Sequence, residues 1–198
     1  MRHLLSSCAA VTVALLLCAF PAFADDRITM VYRADSRPPE QVFQAGFSGR
    51  GSRMDLLAHT LGGACDETDP ARASTWVSMS SELDEATGFA RGHLEGLPPG
   101  PQNAMWIYYI RPDATYTVVS SILERVSDMA MASQGGYTPE QGRVLAHLRR
   151  NTVIDNEAEV VTHFVAPRNI AYARPVYFDQ NDVLQIGAVA EKLAVSRS

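Results

Sequence analysis

Apolar and polar positions along the chain mark out a series of short elements. Ile28 to Tyr32 is an apolar run ending at an arginine, which reads as a short buried strand. Ser36, Pro38 and Pro39 turn the chain, and Glu40 to Gln44 starts a helix with proline at its opening. Met54, Leu57, Ala58 and Leu61 recur at helical spacing, so Arg53 to Leu61 is a second helix, closed by Gly62-Gly63. Thr75 to Met79 is strand-like, Glu82 to Leu94 helical, and Gly96 to Gln102 a Gly/Pro loop. Ala104 to Ile110 is a strongly apolar strand, Ala114 to Val119 a second strand, and Ile122 to Met131 a short helix. Thr138 and Pro139 open a helix reaching about Arg150. Val160 to Val165 and Ile170 to Phe178 are strands; after a turn at Asp179 to Asp182, Val183 to Val189 pairs back. Helices come early and strands late without regular alternation, which predicts an α+β fold with mostly antiparallel strands.

The N-terminus adds processing to this picture. Arg2 and His3 precede an apolar run from Ala9 to Phe20, and Ala22-Phe23-Ala24 is a small-x-small cleavage site. Residues 1–24 therefore read as a signal peptide and 25–198 as one domain, secreted to the periplasm or beyond. The apolar run is too short for a membrane span. The formal charge of -5 becomes -6 once Arg2 leaves with the signal, and no basic block occurs, which argues against nucleic acid as a partner. Cys8 and Cys18 leave too, so Cys65 alone cannot form an internal disulfide. His93, His147 and His163 have no metal-ligand spacing, so no metal is expected. Gly46, Gly49 and Gly51 follow a helix and are no dinucleotide fingerprint.

Three stretches carry candidate chemistry. Arg33 at a strand end, with Asp35 on the same face, suits a bidentate contact to phosphate or carboxylate; the plain alternative is a salt bridge between the two. Ser78 and Ser80 share a strand face and can orient a carboxylate, or form a polar strand edge. Glu157 and Glu159 also share a face; paired carboxylates split their pKa values and can take separate roles, or belong to a solvated acidic loop.

The wording of these stretches bears on the choice. Tyr32-Arg33-x-Asp35-Ser36-Arg37-Pro38-Pro39-Glu40-x-Val42-Phe43-Gln44-x-Gly46-Phe47 closely resembles the start of the catalytic subunits of the pertussis-type bacterial mono-ADP-ribosyltransferases. That family includes the A subunit of cholera toxin. Trp76-Val77-Ser78-Met79-Ser80 resembles the family's strand ending in Ser-Thr-Ser, with Met79 in the middle place. Glu159, four residues before His163 and followed by Pro167 and Asn169-Ile170, resembles its catalytic strand. The resemblance implies an ADP-ribosyltransferase fold of two small packed sheets, with NAD as co-substrate in the cleft between them.

It also implies roles. Arg33 binds the NAD phosphates, braced by Asp35. Ser78, with Ser80 beside it, holds Glu159 against the NAD-binding strand. Glu159 grips the nicotinamide ribose and stabilises the cation that forms as nicotinamide leaves. Glu157 faces the acceptor: in this superfamily a Glu-x-Glu pair goes with arginine acceptors, whereas pertussis-like enzymes have Gln there and modify cysteine. His59 matches an active-site histidine, with an acid/base role or a helix-end role both open. Arg50 stands where the family has a tryptophan, and Cys65 lacks the family's partner near the C-terminus. The implied partners are a host target protein, with a G protein among the candidates, and a B-subunit oligomer. Residues 160–198 alone follow Glu159, so the tail that usually docks on the oligomer is absent here. Two readings stand beside the transferase: an NAD glycohydrolase, and an inactive secreted binding protein on the same scaffold.

Overall fold

A computed structural model describes residues 28–60, 68–132, 143 and 158–192. The signal peptide, Cys65, Glu157 and the helix expected from Tyr137 to Arg150 lie outside the described residues.

The strands are β1 (Val31–Asp35), β2 (Phe47–Ser48), β3 (Val77–Ser80), β4 (Met105–Ile110), β5 (Thr117–Val118), β6 (Glu159–Thr162), β7 (Phe164–Val165), β8 (Ile170–Phe178), β9 (Leu184–Ile186) and β10 (Ala190–Glu191). The α-helices are α1 (Pro39–Ala45), α2 (Leu56–Thr60), α3 (Leu83–Leu94) and α4 (Val119–Met131). An eight-stranded sheet runs β10-β8-β4-β1-β3-β6-β5, with β9 paired to β8, and β2 and β7 form a separate ribbon. Every strand pair is antiparallel.

The continuous apolar run of β4 follows from its place in the sheet. Strands buried on both faces lose the alternation of half-exposed ones. Tyr108 and Ile110 join Val31, Val77, Met79 and Val160 on one face, under Val42 and Phe43 of α1, Phe47 of β2 and Val165 of β7. Ile107 and Tyr109 join Ala34 and Val176 on the other, under Ala86, Ala90 and Leu94 of α3. The latter three sit at helical spacing of four, which gives α3 one apolar stripe. A third cluster seats α4 on β6 through Val119, Leu123 and Val161, with Leu56 and Trp76 packed against it.

Two expectations change. The stretch Ala114 to Val119 yields only the two residues of β5, because α4 already starts at Val119. The two small sheets become one large sheet and a ribbon, because β1 pairs with both β4 and β3, and β3 in turn with β6. The turn at Asp179 forms as expected: the Asp179 carboxylate accepts from the Asn181 and Val183 N–H groups at 2.8 and 3.0 Å.

Candidate active site

The order β1-β3-β6 gathers residues far apart in sequence. Tyr32 faces Ser80 in register, Ser80 faces Glu159, and Ser78 faces Val161. Arg33, Ser78 and Glu159 thus sit on three adjacent strands. A cleft of about 310 Å³ opens along these strands against α3, lined by Tyr32, Arg33, Ser78, Ser80, Glu85, Phe89 and Glu159 among others. It lies between the large sheet and a helix, not between the two sheets, since the ribbon contributes no lining residue.

Arg33 donates from Nη1 to the Ser78 carbonyl at 2.6 Å, tying β1 to β3. Its contact to Asp35 is long, 3.4 Å from Nε. Asp35 is held instead by Arg37: Nε and Nη2 each donate at 2.8 Å, and the Arg37 backbone N–H donates at 3.0 Å. The salt bridge that the sequence offered between Arg33 and Asp35 is therefore present but long, and the closer partner of Asp35 is Arg37, which the sequence reading passed over. Its signal was available: Arg37 lies two beyond Asp35 in the turn, within reach of a fork-to-carboxylate pair. Burial works to raise the Asp35 pKa, but the Arg37 hydrogen bonds and both guanidinium charges outweigh it and hold the carboxyl below its usual range. Burial lowers the Arg33 pKa, opposed by Asp35 and assisted by Arg37 and Arg50. Both guanidiniums lie over the ring of buried Phe47, at 5.2 and 5.0 Å from its centroid. The Tyr108 hydroxyl, reaching up from β4, donates to the Arg37 carbonyl and fixes the turn.

His59 comes from the one-turn helix α2 and is 4 % exposed. Its placement follows from a small backbone lattice. Residues 51–53 zip onto the segment before β3: Gly51 N–H to Ser74 O, Arg53 N–H to Ala73 O, and Thr75 N–H to Arg53 O, each 3.0 Å. Gly51 permits this approach, since a Cβ there would stand 2.3 Å from the Pro70 carbonyl oxygen. The His59 ring then reaches Ser78 Oγ from Nε2 at 2.8 Å and Ser74 Oγ from Nδ1 at 2.7 Å. Glu159 Oε1 lies 3.5 Å from the same Nε2.

The structure thus brings Arg33, Ser78, His59 and Glu159 together. The Ser78 hydroxyl meets His59, and the same Nε2 lies beside Glu159. Ser80 lines the cleft, but its Oγ accepts the Glu82 N–H at 3.0 Å at the start of α3. Ser74 was missed altogether, because nothing in the run Ala73-Ser74-Thr75 separates a ligand of histidine from a turn serine. Among the described residues, no group of His, Cys, Asp or Glu could hold a metal ion.

Relatives place this geometry in a lineage. A family model described as pertussis toxin, subunit 1 matches residues 26–128, more than half of the chain. The chain belongs to the pertussis toxin subunit 1 family. Pertussis toxin subunit 1 of Bordetella pertussis is 32 % identical over 173 residues, covering 79 % of this chain and 56 % of that protein. The homolog from Bordetella parapertussis matches with the same identity and coverage. The chain therefore spans little more than half the length of these family members. Among solved structures, EcPltA aligns with a TM-score of 0.63 at 20 % identity, covering 85 % of this chain and 87 % of its own. Nicked CARDS toxin aligns with a TM-score of 0.60 at 19 % identity, covering 84 % of this chain and 31 % of its own. The fold is that of the ADP-ribosyltransferase toxins. The family match ends at residue 128, so Arg33, His59 and Ser78 fall inside it and Glu159 beyond it.

Proposed function

We propose that this protein is a mono-ADP-ribosyltransferase that takes NAD as co-substrate, and that residues 25–198 form its catalytic domain. The observation that carries the reading is the convergence of Arg33, Ser78, His59 and Glu159 from three adjacent strands and a one-turn helix, in a chain of the pertussis toxin subunit 1 family. The cleft has the chemistry such a molecule requires. Its volume is at the lower end for a small-molecule site. Arg33 supplies a cation for phosphate, Phe89 and Tyr32 supply aromatic surface, and Glu159 a carboxylate.

In this reading Arg33 binds the pyrophosphate charge, with Asp35 and Arg37 fixing the end of β1. Glu159, 15 % exposed, accepts from a hydroxyl of the nicotinamide ribose and lies beside the positive charge that grows as the glycosidic bond breaks. His59 and Ser78 hold the carboxylate in place before the reaction, so it need not reorganise as charge develops. Glu157 would stand two residues before Glu159 and receive the acceptor; by the Glu-x-Glu pattern that acceptor is arginine. The protein is secreted through its N-terminal leader and acts on a host protein, with a G protein or a B-subunit oligomer as partners to test.

An NAD glycohydrolase is the rival enzyme. Incubation of the protein with NAD labelled in the adenylate half, with and without host-cell lysate, separates the two. Label on a lysate protein, at arginine by mass spectrometry, supports the transferase; nicotinamide release without protein label assigns the glycohydrolase.

A further inference from the structure

We infer that Ser74 is a positioning residue that fixes the tautomer of His59, so that the imidazole presents an N–H, not a lone pair, to Ser78 and Glu159. The hydrogen bonds of Ser74 decide the tautomer. Ser74 is 5 % exposed, so its hydroxyl finds its partners inside the protein. It has two: the Trp76 backbone N–H at 3.0 Å and His59 Nδ1 at 2.7 Å. The Trp76 N–H can only donate, so it occupies a lone pair of Ser74 Oγ. Among the described residues, the single hydroxyl proton then has one acceptor in reach, Nδ1. An Nδ1 that accepts carries no proton, so in the neutral ring the proton sits on Nε2.

That proton is aimed at the site. Nε2 is 2.8 Å from Ser78 Oγ and 3.5 Å from Glu159 Oε1. Ser78 Oγ, accepting from Nε2, keeps its own proton free to donate. The line Trp76 N–H, Ser74, His59 therefore runs in one direction and ends in an Nε2 N–H beside Ser78 and the carboxylate. Such a donor orients the carboxylate. Neutral His59 in this state cannot take a proton at Nε2, so it serves as a donor that orients Glu159 and not as the base that activates an acceptor. The opposite tautomer would strand the Ser74 proton in a buried site, at the cost of an unmade hydrogen bond.

This inference rests on the proposed activity for its consequence, but its structural part is read without turnover. In 15N-labelled protein at neutral pH, two-bond nitrogen–proton correlation should show His59 with an unprotonated Nδ1 and a protonated Nε2. Ser74→Ala should shift His59 toward the Nδ1–H tautomer and lower kcat for nicotinamide release about tenfold, with the KM for NAD within about twofold. Ser74→Thr, which keeps the hydroxyl, should restore both. A wild-type His59 protonated on Nδ1 overturns the inference, and so does a Ser74→Ala protein whose tautomer is unchanged, whatever its kcat. Wild-type protein that shows the expected tautomer but never releases nicotinamide counts against the transferase reading and leaves the tautomer assignment standing.

Discussion

At the scale of single residues, the site is built so that each charged group has its orientation set by a hydrogen-bonded neighbour. Arg33 is pinned to the Ser78 carbonyl, Asp35 is clamped by Arg37, and His59 is strung between two serines. The sequence made Arg33, Ser78, His59 and Glu159 legible because each stands in a stretch whose wording is specific. It did not reveal who pairs with whom. Arg37 and Ser74 act through geometry that only the folded turn and the Gly51 zipper create. Replacing Arg37 with alanine should release Asp35 to Arg33, drawing the cation from the cleft, and raise the KM for NAD several-fold while kcat changes less; an unchanged KM would show that Asp35 does not compete for Arg33. A second expectation concerns pH. Burial pushes the Tyr116 phenol up from 10 to about 12. A group whose folded pKa is raised contributes its full stability below the unfolded value and loses it as pH climbs toward the folded one. Stability should therefore fall between pH 10 and about 12 as this group loses its contribution. Denaturant titrations of Tyr116→Phe should show a shallower fall; Tyr108 and Tyr109, shifted upward by burial as well, keep part of it.

At the scale of elements, most strands and helices could be read from apolar spacing, with ends shifted by one to three residues. Tyr32 closes the expected strand, yet β1 runs on to Asp35, because it is paired along its whole length with β4. Polar Arg33 and Asp35 sit on a strand interior only because the cleft and the Arg37 clamp receive them. The short β2–β7 ribbon had no periodicity to betray it: two residues a side carry no pattern, and its reason is the burial of Phe47 and Val165. Gly46 makes that ribbon possible. Its φ of 72° is one that side chains rarely adopt, and a Cβ there would meet the Val165 carbonyl oxygen at 2.0 Å. Gly46→Ala should cost about 2 kcal/mol or more, seen as a lowered denaturation midpoint, since both strain and a backbone clash oppose it. A variant as stable as the wild type would mean that α1 and β2 can separate without loss.

At the scale of the whole molecule, the antiparallel sheet brings positions 33, 78 and 159 onto neighbouring strands, an adjacency that strand order decides and linear spacing cannot. The α+β class could be argued from the chain; the continuous sheet could not, because it depends on β1 pairing on both edges. Saturating NAD, at about 100 times its Kd, should stabilise the fold by about 2.7 kcal/mol and raise Tm on the order of 5–10 °C. Arg33→Ala should lose most of that rise, measured against its own ligand-free Tm. The most direct test of the site is transfer itself, measured with adenylate-labelled NAD and host-cell lysate for the wild type and Glu159→Gln side by side. Labelled protein is expected from the wild type and at least a hundredfold less from Glu159→Gln at equal Tm, in the range for losing a preorganised electrostatic group. Equal labelling by the two proteins would contradict this expectation.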